Sequence, residues 1–172
     1  MRREHDFEWY GEHVNDVLVL NSIRHLLRAA KIDFREVSHS PTFTSEESAN
    51  ARGEPLGVGA KAIVMRVDDR FCLFVLPADR KLDSVAIKQQ LAAKKTRFAT
   101  PEELMELTGL VPGSVPPFGA PILPLELFAD SQLGQIYDRI AFNAGSLTHS
   151  LIVPFEAWRA VAQPTCFAFS KQ

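Results

Sequence analysis

Two features of this chain have the most to offer chemically: one lysine and one loop. Lys61 lies in the run Ala60-Lys61-Ala62-Ile63-Val64-Met65-Arg66-Val67, where the two-residue period of a strand puts its ammonium on the face of Ile63, Met65 and Val67. A lysine is almost never buried without a partner, because removing its charge from water is expensive. Two accounts of it stand. Either the side chain starts at the strand's first residue and snorkels to solvent past the preceding glycines, or it serves a cleft. The loop is Gly109 to Pro121, in which seven of thirteen residues are Gly or Pro. Each of these fixes or frees the backbone for its own reason, so the segment has a shape that neither helix nor strand supplies. Ser114 is its only polar side chain. Whatever such a loop does, it does with its backbone.

Other chemistry is poorly represented. His5, His13, His25, His39 and His149 have neither the i,i+4 spacing nor the HExxH arrangement of a helical zinc site. No serine sits in a GxSxG elbow, and P-loop and GxGxxG patterns are missing as well. Asn143-Ala144-Gly145-Ser146 reads as a turn between strands, or as a way of presenting the amides of Asn143 and Gly145 to a ligand. Lys88, Lys94, Lys95 and Arg97 are the one local concentration of positive charge, a solvated helix face or a grip on phosphate.

The elements that must hold these residues follow from the pattern. Spacing of Val14, Val17, Leu18, Ile23, Leu26, Leu27 and Ala30 predicts an amphipathic helix over about 13 to 30, and Ile32 to Val37 predicts a strand. Thr44-Ser45-Glu46-Glu47 has capping-box spacing and predicts a short helix through Arg52. Gly53, Pro55, Gly57 and Gly59 then lead into a hairpin of 60–67 with 71–76, both runs apolar on both faces and therefore central in a sheet. Asp83 can cap a helix with Val85, Ile87 and Leu91 as its stripe. Thr100-Pro101-Glu102-Glu103 is a second capping box, and Gly109 stands where a left-handed C-cap belongs. Short strands are predicted at 122–128, 136–137, 139–143 and 150–153, then a helix from Pro154 through Trp158, and a closing segment at 165–169. The fold class expected is α/β of the α+β kind, a mixed, mostly antiparallel central sheet or partial barrel surrounded by helices.

At 172 residues, 46% hydrophobic and 23% charged, the chain has the size and balance of one globular domain, 1–172, with no linker dividing it. A net charge of −2 argues against a coat of cations along a nucleic acid, so any nucleic-acid partner is gripped locally. The longest apolar run, Phe71 to Leu76, is far short of a membrane span, and the first residues lead into no signal core, so a cytoplasmic protein is expected. Cys72 and Cys166 sit in apolar strings and are expected as buried, reduced thiols.

Gly113-Ser114-Val115-Pro116-Pro117 has the form Gly-x-x-x-Pro. Together with Gly59-Ala60-Lys61, Thr44-Ser45-Glu46-Glu47 and Phe142-Asn143-Ala144-Gly145, it resembles the YbaK/prolyl-tRNA synthetase-associated editing-domain family, over about Ile32 to Val153. The resemblance implies a YbaK-like fold and a free-standing deacylase that hydrolyses the ester joining a wrong amino acid to a tRNA 3′ end. The tRNA it implies is tRNA(Pro) carrying a small wrong amino acid. It implies catalytic roles for Lys61, Gly113, Ser114, Val115 and Pro117, and a substrate site that includes Thr44, Gly59, Phe118, Gly119, Asn143, Gly145 and His149. Backbone N–H groups of a rigid loop suit the negative charge that builds on an ester carbonyl during hydrolysis, a donor of that kind contributing about 3 to 4 kcal/mol. In this family the substrate's own ribose hydroxyl activates the water, so no side-chain base, metal or cofactor is expected. The implied partner is the 3′ acceptor end of aminoacyl-tRNA, with an aminoacyl-tRNA synthetase as a further one. Alanyl-acting members tend to have Asn after the lysine and cysteinyl-type members Thr, whereas this chain has Ala62.

Two rivals differ in class. A binding module would hold a tRNA end or nucleotide in the same cleft, beside a synthetase, without breaking the ester. A hydrolase of small acyl esters would show salt-insensitive kinetics, having no phosphates to neutralise.

Overall fold

A computed structural model describes the backbone from His5 to Gln172 and the side chains from Val17 onward; expectations for the side chains of His5, His13 and Val14 lie outside the described residues. In chain order the elements are α1 His5–Ala29, β1 Arg35–Ser38, α2 Ser45–Arg52, a 3-10 turn Leu56–Val58, β2 Ala60–Val67, β3 Arg70–Pro77, β4 Lys81–Leu82, α3 Ser84–Gln90, β5 Thr96–Phe98, α4 Pro101–Thr108, β6 Glu126–Asp130, β7 Arg139–Asn143, β8 His149–Pro154, α5 Phe155–Ala162, β9 Thr165–Phe167 and β10 Ser170–Lys171.

Local chemistry accounts for the best-defined ends. In α2 the Thr44 hydroxyl accepts from Glu47 N at 3.1 Å while the Glu47 carboxylate accepts from Thr44 N at 3.2 Å, and Gly53 closes the helix at φ +68°. Thr100 and Glu103 repeat the exchange in α4, with Pro101 in the first turn and Gly109 at φ +70°. The hairpin pairs Ala60 with Pro77 through Val67 with Arg70, antiparallel around a turn at Asp68 and Asp69. Asp68, at φ +52°, steadies that turn by accepting from the backbone N–H groups of Lys94 and Lys95.

The mixed sheet expected is present. Five strands lie in the order β5-β2-β3-β6-β9, with β2 antiparallel to β3 and β5, and β6 parallel to β3 and β9. A separate antiparallel sheet runs β1-β8-β7. β2 and β3 are covered on both faces: Ala60, Val64, Leu73 and Val75 join a core with Ile23, Leu27, Phe142 and Trp158, while Met65, Val67, Cys72 and Phe74 join one with Ile87, Phe128 and Phe169.

The two larger sheets pack across a shared core and are joined by a parallel backbone bridge between Gly59 and Ala141. A Cβ on Gly59 would stand 2.9 Å from the Ala78 Cβ and 3.1 Å from Leu56 O, so glycine lets the chain enter β2 close against Ala78. Two residues beyond the bridge, on the two strands, come Lys61 and Asn143.

Several expectations fail, for local reasons. The strand predicted from Ile32 begins at Arg35, because Ile32 N still bonds Leu27 O at 2.9 Å as α1 closes through Lys31 at φ +56°. Residues 122–125 are not strand: the N–H groups of Ile122 and Leu123 both bond Gly119 O, which curls the chain until β6. Ile136 and Tyr137 form no strand either, and Ile136 is exposed. In α3 Ile87 is buried while Val85 is exposed, because residues two apart on a helix do not share a face. Cys166 is exposed, unlike Cys72, because short β9 is an edge strand of its sheet.

Candidate active site

Where the two sheets part, a cleft of about 340 Å³ opens between the start of β2, the segment Thr42–Ser48, the start of α4 and the loop after Gly109. Thr44, Gly59, Lys61, Gly113, Val115 and Asn143, all anticipated, line it. Lys61 is half-buried, and its Nζ donates to Arg80 O at 2.7 Å, which leaves two of three ammonium donors for a ligand. It is held in the cleft rather than snorkelling past the glycines. Burial pushes its pKa below the ordinary lysine value, with Glu46 and Asp79 opposing that shift. Among the described residues no carboxylate, imidazole or thiol lines the cleft, so Lys61 and Arg52 are its titratable groups.

The loop's backbone divides its labour. Ser114 turns inward: it is fully buried, its N–H bonds Val111 O at 3.2 Å and its Oγ donates to the same oxygen at 2.8 Å. Pro116 and Pro117 have no N–H. Among the described residues the N–H groups of Gly113 and Val115 meet no acceptor, and both residues border the cleft. Gly113 holds φ +87°, a conformation costly for any residue with a Cβ.

Other anticipated residues are not brought to the cleft. Pro117 accepts from Trp158 Nε1 at 2.9 Å and thereby anchors the loop to α5. Phe118 is buried edge-on to Phe142, ring centroids 5.5 Å apart. A Cβ on Gly119 would lie 2.5 Å from Leu125 O, and one on Gly145 would lie 2.5 Å from Val19 Cγ1, so both glycines serve packing. His149 Nδ1 meets Thr148 Oγ1 at 2.9 Å, away from the cleft.

Sequence reasoning missed Arg52. It lines the cleft, is 7% exposed and bonds only neutral partners: Nε to Ser150 Oγ at 2.8 Å, one Nη to Asn143 Oδ1 at 2.9 Å and the other, loosely, to Ala141 O at 3.5 Å. Burial pushes its pKa down to about 10, against the opposing charge of Glu54, so it stays cationic at neutral pH. Thr42 and Ser48, hydrogen-bonded to each other at 2.9 Å, complete this buried polar floor, and His39 Nε2 reaches Ser150 Oγ at 2.8 Å. One signal was available. α2, Ser-Glu-Glu-Ser-Ala-Asn-Ala-Arg, has no apolar stripe, so a packed face built on Ser48 and Arg52, four apart, has to be polar.

The class of protein is now defined by comparison. The aminoacyl-tRNA editing domain profile matches residues 39–161, and the chain belongs to that family. Among individual proteins, it is 36% identical over 151 residues to the Multifunctional Ser/Thr-tRNA deacylase ProXp-y of Escherichia coli, covering 85% of this chain and 89% of that one. It is also 36% identical over 101 residues to a proline--tRNA ligase of Shouchella clausii, covering 59% of this chain but 17% of the ligase. In structure it resembles a protein assigned as a trans-editing enzyme for prolyl tRNA synthetase, with a TM-score of 0.75, 24% identity and coverage of 90% of this chain and 98% of that one; at this identity the likeness speaks for the fold.

Proposed function

We propose that the chain is a single trans-editing domain that hydrolyses mischarged aminoacyl-tRNA, with Lys61 and the free N–H groups of Gly113 and Val115 as its working parts. The carrying observation is that these donors border one cleft that has no side-chain base among its described residues. In the reaction a water oxygen bonds to the ester carbonyl carbon, the carbonyl oxygen becomes an oxyanion, and the bond to the ribose oxygen breaks to release amino acid and tRNA. Gly113 N–H and Val115 N–H face the oxyanion, where preorganised donors have their largest effect. The vicinal ribose hydroxyl relays the proton, accepting one from the water and passing its own to the departing ribose oxygen. Lys61 places its two free ammonium donors on the terminal phosphate or substrate oxygen, as a compact charge does well.

The substrate is a tRNA bearing a small wrong amino acid, with tRNA(Pro) the first candidate from the likeness to proline--tRNA ligases. The hydroxyls of Thr42, Thr44, Ser45 and Ser48 on the cleft suit a hydroxylated side chain, in keeping with the name of the Escherichia coli relative. The protein then works in the cytoplasm, and a synthetase is a natural partner. Among the described residues no helix is long and apolar enough to cross a membrane.

The test is a deacylation panel of seryl-, threonyl-, alanyl- and cysteinyl-tRNAs with wild type and Lys61→Ala. Turnover of at least one substrate, lost in the variant, is expected. Binding of intact aminoacyl-tRNA without ester loss would instead establish the binding-module reading.

A further inference from the structure

Arg52 has the burial of a core residue and the hydrogen bonding of a device. Among the described residues no carboxylate pairs with it, although a buried cation without a counter-ion is costly and is retained only where its neighbours or its task require it. A guanidinium can only donate, so Asn143 must turn Oδ1 toward it. That leaves the Asn143 amide nitrogen facing the other way, where Nδ2 donates to Gly113 O at 2.9 Å and, at 3.4 Å, to Thr42 Oγ1. The Gly113 carbonyl can only accept. Reversing the Asn143 amide would set NH₂ against the guanidinium and oxygen against the carbonyl, so the charge on Arg52 selects one orientation. Ser150 Oγ reinforces it, taking the Arg52 Nε–H and giving its own proton to Asn143 Oδ1 at 3.0 Å.

From this chain of donors we infer that Arg52 is a positioning residue for the hydrolytic loop. Through Asn143 it pins the Gly113 carbonyl, and with that Gly113–Ser114 peptide the two flanking peptides, which carry Gly113 N–H and Val115 N–H at the border of the cleft. Asn143 then acts on the loop rather than on the substrate. The loop is anchored on its far side by Trp158 Nε1 on Pro117 O, so the Arg52–Asn143 link is what holds the end that borders the cleft. The inference rests on the proposed hydrolysis, and its test separates the two.

Asn143→Asp, Arg52→Lys and the double variant are compared with wild type. Asn143→Asp keeps an acceptor for Arg52 but sets an oxygen against Gly113 O, so it unties the loop while the buried cation gains a partner. Its thermal midpoint should be close to that of wild type, with kcat lower by about 100-fold and KM within about 3-fold, the pattern of a misplaced catalytic group. Arg52→Lys keeps the charge but cannot serve Ser150 and Asn143 together, and should lower kcat by about 10-fold. Because both act through one contact, the double variant should be no slower than Asn143→Asp alone. Wild-type kcat in Asn143→Asp, a loss confined to KM, or additive losses would overturn the inference.

A second arm needs no substrate. Side-chain amide exchange of Asn143 and backbone shifts of Gly113 and Val115, read by NMR, should change in Arg52→Lys; unchanged signals would also overturn it. If wild type deacylates nothing, the proposed hydrolysis fails while this arm still decides the tether.

Discussion

Arg52 and Glu54 are separated by one glycine and face opposite fates. Glu54 is bracketed by two guanidiniums, Arg35 at the start of β1 at 2.6 Å and Arg139 at the start of β7 at 2.8 Å. Arg52 lies at the floor of the cleft and bonds neutral oxygens only. The left-handed turn at Gly53 separates a charge with neutral partners from one with charged partners. A charge whose partners are all opposite charges holds elements together and needs nothing further. One whose partners are neutral and oriented uses its field to orient them, and its cost is carried by a working site.

Substitutions can sharpen or break that contrast. The largest effect is expected on the cleft side, where Lys61→Ala should lower kcat/KM for deacylation by about 100-fold or more while the thermal midpoint moves little, checked by single-turnover kinetics beside calorimetry. Glu54→Gln should do the reverse. Its loss should lower stability by about 1 to 3 kcal/mol by denaturant unfolding and leave kcat within about 2-fold. A kcat collapse in Glu54→Gln would erase the distinction between the two residues.

Acid unfolding probes the same pair. Burial alone would push the Glu54 pKa up, but hydrogen bonds from Arg139 and Arg35 outweigh it and hold the carboxyl below its ordinary value. A carboxylate lowered in the folded state contributes stability above its unfolded pKa and loses it as pH falls through the folded one. Wild type should therefore lose stability below about pH 4.5, the ordinary value, and the loss should be shallower in Glu54→Gln. The smallest effect belongs to the rim: Thr44→Ala removes the α2 cap and should cost about 1 kcal/mol by thermal unfolding.

Legibility followed the range of the interactions. Both capping boxes, the Gly109 cap and the turn of the 60–67 hairpin are set by contacts within a few residues, and each formed as expected. Beyond Gly109, strand spans were misjudged where a single acceptor, Gly119 O, took two N–H groups and curled the chain. Of the loop, the sequence indicated that backbone must do the work. It could not indicate which amides are spent internally, because that depends on Val111 O sitting beneath Ser114.

By itself the sequence determined the family, the lysine strand and a Gly/Pro loop able to act only through its backbone, since these are matters of residue type and short spacing. Tertiary structure alone decided that Lys61 and the loop border one cleft, through the close approach of Gly59 to Ala141. It also made Arg52 part of that cleft. Hydrogen bonds to Asn143 and Ser150, some ninety positions away, exist only once α2 has docked on the β7–β8 pair, and no short-range pattern names those partners.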